Sequence, residues 1–255
     1  MTIAAQADAP VVADATDLDR IEATLRSAVE ALRRGLPVLV ADDEQRENEG
    51  DAIISAAMAT PEWIGWMIRH TSGYLCAPMT NELADRLDLP PMVAHNQDPK
   101  RTAYTVTVDA AEGVTTGISA TDRCRTLNVL ADPASTADSV LRPGHIVPLR
   151  ARDGGVLVRG GHTESGVDLM QLAGLPAVAA IGEMVHDDGE MMRFPDVVRI
   201  GARYGLPVLT VAQIAAWRRA HPDNAPLTGV GESETTPSIA DQQTLTECER
   251  EQVHA

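Results

Sequence analysis

The sequence predicts an α+β fold, a single layered domain with a mixed β-sheet flanked by helices. Three observations carry this reading. Short apolar runs and stretches of helical spacing follow one another along the chain, without the strict strand–helix–strand rhythm of a wholly parallel sheet. No internal repeat recurs at a fixed period. In a chain of 255 residues that is 44% hydrophobic, aromatics number only three Trp, three Tyr and one Phe, so the core must be built from Ala, Val, Leu, Ile and Met in close-packed layers.

The elements follow in order. Asp17 can cap a helix whose apolar positions Ile21, Leu25, Ala28, Val29 and Leu32 share one face and which ends near Gly35. Pro37 to Ala41 reads as a buried strand and Ile53 to Ala57 as a second, joined by an acidic connection with Gly50 as its hinge. Pro61 opens a helix carrying Trp63, Trp66 and Met67, followed by a strand at Tyr74 to Ala77 and a short helix from Asn81 to Leu87 that ends before Pro90 and Pro91. Tyr104 to Val108 alternates as a strand, GVTTG at 113–117 is a tight loop, and a helix starts near Ser119. Strands follow at Ile146 to Arg150 and Val156 to Arg159, then a helix from Glu164 to Leu172. A strand at Val178 to Met184, a helix at Asp196 to Tyr204, a strand at Pro207 to Val211 and a helix at Ala212 to Arg219 complete the body. The domain is expected over residues 17–220. Residues 1–16 and the acidic stretch 221–255, rich in Pro, Thr, Ser and Glu, read as disordered.

Composition narrows the function. No stretch approaches the roughly 18 consecutive apolar residues of a membrane helix, and no basic region precedes the apolar patch near the N-terminus, so a cytoplasmic protein without membrane partners is expected. Cys76, Cys124 and Cys248 are odd in number and form no C-x-x-C pair, which argues for reduced thiols and against a thiolate zinc site. The formal charge is −16, with seven acids and one Arg in the last 35 residues, and no basic stripe offers a nucleic acid a footprint. Lys100 is the sole lysine and sits in the polar run NQDPKRT. Schiff-base chemistry at a sugar carbonyl, which needs a lysine in an apolar pocket, is therefore disfavoured against a metal-stabilised enediolate, and a Walker A loop is excluded.

Two segments carry the chemistry. DDEQRENEGD at 42–51 packs six carboxylates into ten residues, which repel one another unless a cation or solvent relieves them, and it does not match the spacing of a calcium loop. A solvated acidic loop is the bland alternative, but the run directly follows a buried strand, contains Arg46 and has a glycine where the chain must turn. RGGHTE at 159–164 offers the donor fork of Arg159, close backbone approach at Gly160 and Gly161, and a neutral imidazole at His162, with a helix N-terminus beside them. Together they suggest a divalent cation and a phosphorylated substrate in one site. Glu183 interrupts the apolar run AVAAIGEMV, where a carboxylate is costly unless it is paired, protonated or at the strand's open end. Cys76 is most simply a small core residue.

In order along the chain, DDEQRENEGD, IRHTSGYLC, TVTVDAAEGVTTGISATDR, LRPGHIVPLRARDGGVLVRGGHTE and DLMQLAGL resemble the 3,4-dihydroxy-2-butanone-4-phosphate synthase family of riboflavin biosynthesis, over roughly residues 20–218. The resemblance implies conversion of D-ribulose 5-phosphate to L-3,4-dihydroxy-2-butanone 4-phosphate and formate, with Mg²⁺ (or Mn²⁺), in a homodimer. It implies Glu47 and His162 as metal ligands. It also implies Arg46, Asp51, Arg159 and Thr163 as substrate and phosphate contacts, with Gly160 and Gly161 supplying backbone. His145, Glu183 and Asp51 take the catalytic positions, and Glu47, His162 and Glu183 also face substrate. Thr71 stands where the family usually has Gly, and Cys124 and Arg125 where small or polar residues are usual. The family also occurs fused to GTP cyclohydrolase II, and about 35 residues after the last expected helix leave a monofunctional form as the expectation. A pentose-phosphate isomerase or epimerase that stops at the enediolate, and a silent metal- or phosphate-binding protein, are the competing readings.

Overall fold

The computed structural model describes residues 15–223 and 225–227. Its seven strands are β1 (Val38–Ala41), β2 (Gly50–Ser55), β3 (Cys76–Met79), β4 (Val108–Ala110), β5 (Val140–Arg150), β6 (Ala179–Glu183) and β7 (Val208–Thr210). They form one sheet in the order β4-β5-β3-β6-β2-β1-β7. The sheet is mixed: β1 runs parallel to β7 and β3 to β5, while β1–β2, β2–β6, β3–β6 and β4–β5 are antiparallel.

Helices cover both faces. On one lie α2 (Pro61–His70), α4 (Ala120–Ala131) and α6 (Phe194–Tyr204); on the other lie α1 (Ala15–Arg33), α5 (His162–Ala173) and α7 (Val211–Ala220); α3 (Asn81–Arg86) is short. Because successive strand side chains point to opposite faces, β2 sends Ala52 and Ile54 to the first core and Ile53 to the second. That two-sided burial is why its sequence reads as a continuous apolar run rather than an alternating one.

Local chemistry fixes the helix ends. Thr60, with Pro61 behind it, accepts the Trp63 N–H, and Ser119 Oγ accepts the Asp122 N–H at 3.0 Å. Asp122 then gathers the GVTTG loop through the Thr115 hydroxyl (2.7 Å) and the Gly117 N–H (3.0 Å). Thr71, at the end of α2, donates its hydroxyl to Met67 O (2.7 Å) and accepts the Gly73 N–H (3.1 Å), so a residue larger than glycine is used rather than merely tolerated there. Cys124 is buried in α4 beside Ala59 O.

Several expectations are corrected. Helix α1 starts at Ala15, which puts Asp17 in its first turn rather than at its cap. β2 starts at Gly50, not Ile53, and Gly50 is no hinge: it lies inside the ladder, where a Cβ would overlap Val197 of α6. Tyr104 and Thr105 make only isolated bridges, and the ladder forms instead at Val108–Ala110. Residues 155–157 form a 3-10 turn, not a strand. The expected disordered segments 1–16 and 221–255 lie mostly outside the described residues. At residues 225–227, however, the chain is docked: Leu227 is buried, its N–H reaches Leu172 O (2.8 Å), and its carbonyl accepts Arg33 Nη2 (2.7 Å). Cys248 lies outside the described residues. Among those residues no helix is long and apolar enough to cross a membrane.

Candidate active site

A cavity of about 280 Å³ opens where the ends of β2 and β6 meet the N-terminus of α5, the acidic loop 42–49 and the turn 98–102. The loop does not simply repel itself. Asp42 accepts the N–H groups of Glu47 (3.1 Å) and Glu49 (2.9 Å) and Arg46 Nη1 (2.8 Å), so the acidic run is wound around one carboxylate. Burial pushes the Asp42 carboxyl up, but these hydrogen bonds outweigh it and hold it below its ordinary value. Arg46 Nη1 also meets Glu47 Oε2.

Strand register supplies the second feature. Asp51 on β2 and Glu183 at the end of β6 are direct partners across an antiparallel ladder, which puts two carboxylates side by side. Like charges directly opposite destabilise a sheet, and such a carboxylate pair in a cleft is a candidate functional site. Asp51 is 2% exposed, and burial first, then Glu183 and Glu47, hold its carboxyl well above the ordinary range. One of its oxygens has no hydrogen-bond partner. Glu183 is steadied by Ser72, whose hydroxyl donates to Oε2 at 2.7 Å and whose N–H reaches the Glu183 carbonyl at 2.7 Å.

Helix α5 supplies the third. His162 is 6% exposed, with Nδ1 3.4 Å from Asp51 Oδ1 and 3.9 Å from Glu47 Oε2, and Nε2 without a hydrogen-bond partner. Burial lowers its pKa to about 4, so the imidazole is neutral at physiological pH, the form that binds a metal. Asp42, Glu47 and His162 offer ligand atoms within 4.8 Å of one another. With Asp42 committed to the loop's N–H groups, Glu47 and His162 are left as a carboxylate and an imidazole beside open volume. Such a pair fits a Mg²⁺ that keeps waters or takes substrate oxygens for the rest of its shell.

The sequence-predicted residues are placed as follows. Arg46, Glu47, Asp51, Arg159, His162, Thr163 and Glu183 all line the cavity. Gly160 and Gly161 stand behind it at the start of α5, where a Cβ on Gly161 would come within 2.9 Å of Arg46 Nη2 and Glu164 Oε2. His145 is not among the lining residues. It lies on β5, 40% exposed, with Nδ1 2.7 Å from Asp109 Oδ2 and its N–H 2.9 Å from Asp109 Oδ1. Seven further residues line the cavity that the sequence does not mark as site residues: Glu49, Cys76, Lys100, Thr102, Tyr104, Leu149 and Ile181. Glu49 was legible as part of the acidic run; the others carry no local signal, because only the fold brings them together.

Comparison with known proteins shows the family. Residues 26–217 match the family described as 3,4-dihydroxy-2-butanone 4-phosphate synthase. The chain is 55% identical over 196 residues to the riboflavin biosynthesis protein RibBA of Salinispora arenicola (strain CNS-205), covering 77% of this chain and 47% of that protein. It is 53% identical over 200 residues to the RibBA of Nocardia farcinica (strain IFM 10152), covering 78% and 48%. The chain thus spans about half the length of the curated relatives it matches. A crystal structure of 3,4-dihydroxy-2-butanone 4-phosphate synthase in complex with two magnesium ions superposes with a TM-score of 0.76 at 43% identity, over 78% of this chain and 98% of that one. The synthase of Candida albicans gives 0.71 at 45% identity, over 76% and 96%. The match extends over the strands and loops that build the cavity, and on that ground the chain belongs to the 3,4-dihydroxy-2-butanone 4-phosphate synthase family.

Proposed function

We propose that residues 17–220 form a synthase domain that converts D-ribulose 5-phosphate to L-3,4-dihydroxy-2-butanone 4-phosphate and formate, in the cytoplasm and as a homodimer. The observation that carries this reading is the convergence of Glu47, His162 and the buried Asp51–Glu183 pair with three cationic side chains in one cavity of sugar-phosphate size. Mg²⁺, or Mn²⁺, held by Glu47 and His162, supplies positive charge against which the anionic character of an enolised sugar is tolerated.

The chain's own residues do the rest. Asp51, whose proton affinity burial and Glu183 raise, is suited to take a proton from the carbon beside the substrate carbonyl and to return one later. Glu183, fixed by Ser72, provides a second carboxylate on the same face for the proton transfers of dehydration and rearrangement. Arg46, Arg159 and Thr163 hold the phosphate end, and the rigid Gly161 turn keeps the first turn of α5 close to it. His145 and its partner Asp109 sit beside the exposed apolar Ile118 and Leu141, outside this chain's cavity. In a homodimer closed over that patch, the dyad would serve the other protomer's cavity.

The test is formate release from D-ribulose 5-phosphate by purified protein with Mg²⁺, repeated with a chelator and with Glu47→Gln. Formate that disappears in both controls supports the synthase reaction. Ketose interconversion without formate would move the reading to an isomerase, and binding without turnover to a silent binding protein.

A further inference from the structure

The three cations of the cavity differ in how their charge is spent. Arg46 Nη1 meets both Asp42 and Glu47. Arg159 Nη1 is 2.6 Å from Glu164 Oε2, a carboxylate whose side chain is 1% exposed. Its Nε and Nη2 are engaged as well, both by Lys100 O (3.3 and 3.2 Å) and Nη2 also by Thr102 Oγ1 (3.1 Å), which leaves one Nη1 hydrogen. Lys100 alone has no carboxylate within ion-pair distance among the described residues, and it lines the same cavity. One of its three ammonium donors reaches Arg46 O at 2.6 Å; the other two are open.

The turn that carries it is built in advance. Asp98 accepts the N–H groups of Lys100 (3.3 Å) and Thr102 (2.7 Å), and Asn96 bonds Thr102 O (2.8 Å) and the Asp98 N–H (2.8 Å). Arg101 takes φ 57°, a left-handed conformation that a long side chain adopts only where the surroundings impose it. Closing the turn therefore costs backbone strain, and the closed turn holds the ammonium at the cavity. A phosphate monoester brings about two negative charges, and arginines already balanced by carboxylates offer it geometry without net charge.

We infer that Lys100 is a substrate-recognising residue, the uncompensated cation that the cavity presents to the phosphate group. The inference deepens the proposed reaction and rests on it for the identity of the phosphate's carrier. Inorganic phosphate binding to the full-length protein, followed by titration calorimetry with Mg²⁺ present, tests the assignment without turnover. Formate release gives KM and kcat for D-ribulose 5-phosphate in parallel. Lys100→Gln keeps a donor for Arg46 O and removes the charge; Lys100→Arg keeps the charge. In Lys100→Gln both the phosphate Kd and the KM should rise about tenfold, as expected for loss of a charge-assisted hydrogen bond at an exposed site, with the loss falling on KM rather than kcat. Lys100→Arg should recover most of both. A phosphate Kd unchanged in Lys100→Gln, or no phosphate binding to the wild type, overturns the assignment. Phosphate binding weakened by Lys100→Gln in a wild type that releases no formate would refute the proposed reaction and leave the Lys100 assignment standing.

Discussion

Removing the Asp168 carboxylate should unfold the chain at markedly milder conditions, although Asp168 does not line the cavity. Asp168 lies on α5, 2% exposed, and accepts the Val156 N–H at 2.9 Å and Arg218 Nη1 of α7 at 2.7 and 2.8 Å. The same Arg218 nitrogen reaches Gly154 O at 3.0 Å, so the pair ties α5 and α7 to the turn that leads into Arg159 and His162. Burial raises the Asp168 proton affinity, and the Val156 N–H and Arg218 offset this only in part, so the pair as a whole contributes little net stability. Breaking it is another matter. Asp168→Ala strands the Val156 N–H, at about 1–3 kcal/mol, and leaves a largely buried guanidinium without its counter-charge. Together these place the loss at about 3–5 kcal/mol. At roughly 2–4 °C per kcal/mol for a chain of this size, the thermal midpoint should fall by about 6–20 °C. Replacing both residues, Asp168→Leu with Arg218→Met, removes the charge along with its partner and should cost about 2 kcal/mol less than Asp168→Ala alone. Urea unfolding of the wild type, both single variants and the double variant measures the coupling. A double variant whose loss equals the sum of the two singles would refute the reasoning.

The remaining predictions concern the site and the sheet. In metal-free protein, Asp51→Asn leaves His162 as the group of opposite sign. Its folded pKa of about 4 lies below the ordinary 6.5, so only the unfolded chain takes up its proton between those values, and stability should fall as pH drops from about 6.5 to about 4. In His162→Gln the raised Asp51 remains, and stability should instead rise on acidification as the folded state takes up the proton first; urea midpoints between pH 4 and pH 7 check both signs. Gly144→Ala would drive a Cβ into the backbone of Val108 and Asp109, and should lower stability by about 3 kcal/mol or more in urea unfolding. Glu47→Gln should remove formate release while the circular dichroism spectrum and thermal midpoint stay near those of the wild type, since its side chain is 26% exposed and Asp42, not Glu47, organises the loop.

Much of this was legible in the chain. The buried strands and amphipathic helices were readable because each buries a stripe or run of fixed period, and every helix starts within a turn of where the sequence puts it. What was missed depended on partners distant in sequence. Tyr104 to Val108 alternates like a strand, yet Thr105 pairs with Pro148, which has no N–H to return, so a continuous ladder cannot form there. Residues 156–159 look like a strand until Gly154 and Gly155 take φ 95° and 62° and the turn is clasped by Asp168 and Arg218. At the site, the acidic run and RGGHTE were visible as local clusters. Lys100 and Thr102 were not, because a single lysine in a polar loop looks like solvent-facing charge until Arg159 draws that loop to the cavity.

The pairing of Asp51 with Glu183 bears on how the site can vary. Their separation is set by the rungs of an antiparallel ladder, not by loop conformation, so it takes discrete values: a slip of either strand by one residue would turn its carboxylate to the opposite face and break the pair. Loops around the cavity can lengthen or change composition without altering that distance. An insertion within β2 or β6 cannot be absorbed in this way. On the proposed reading, the proton-transferring carboxylates are anchored to the part of the fold least free to drift.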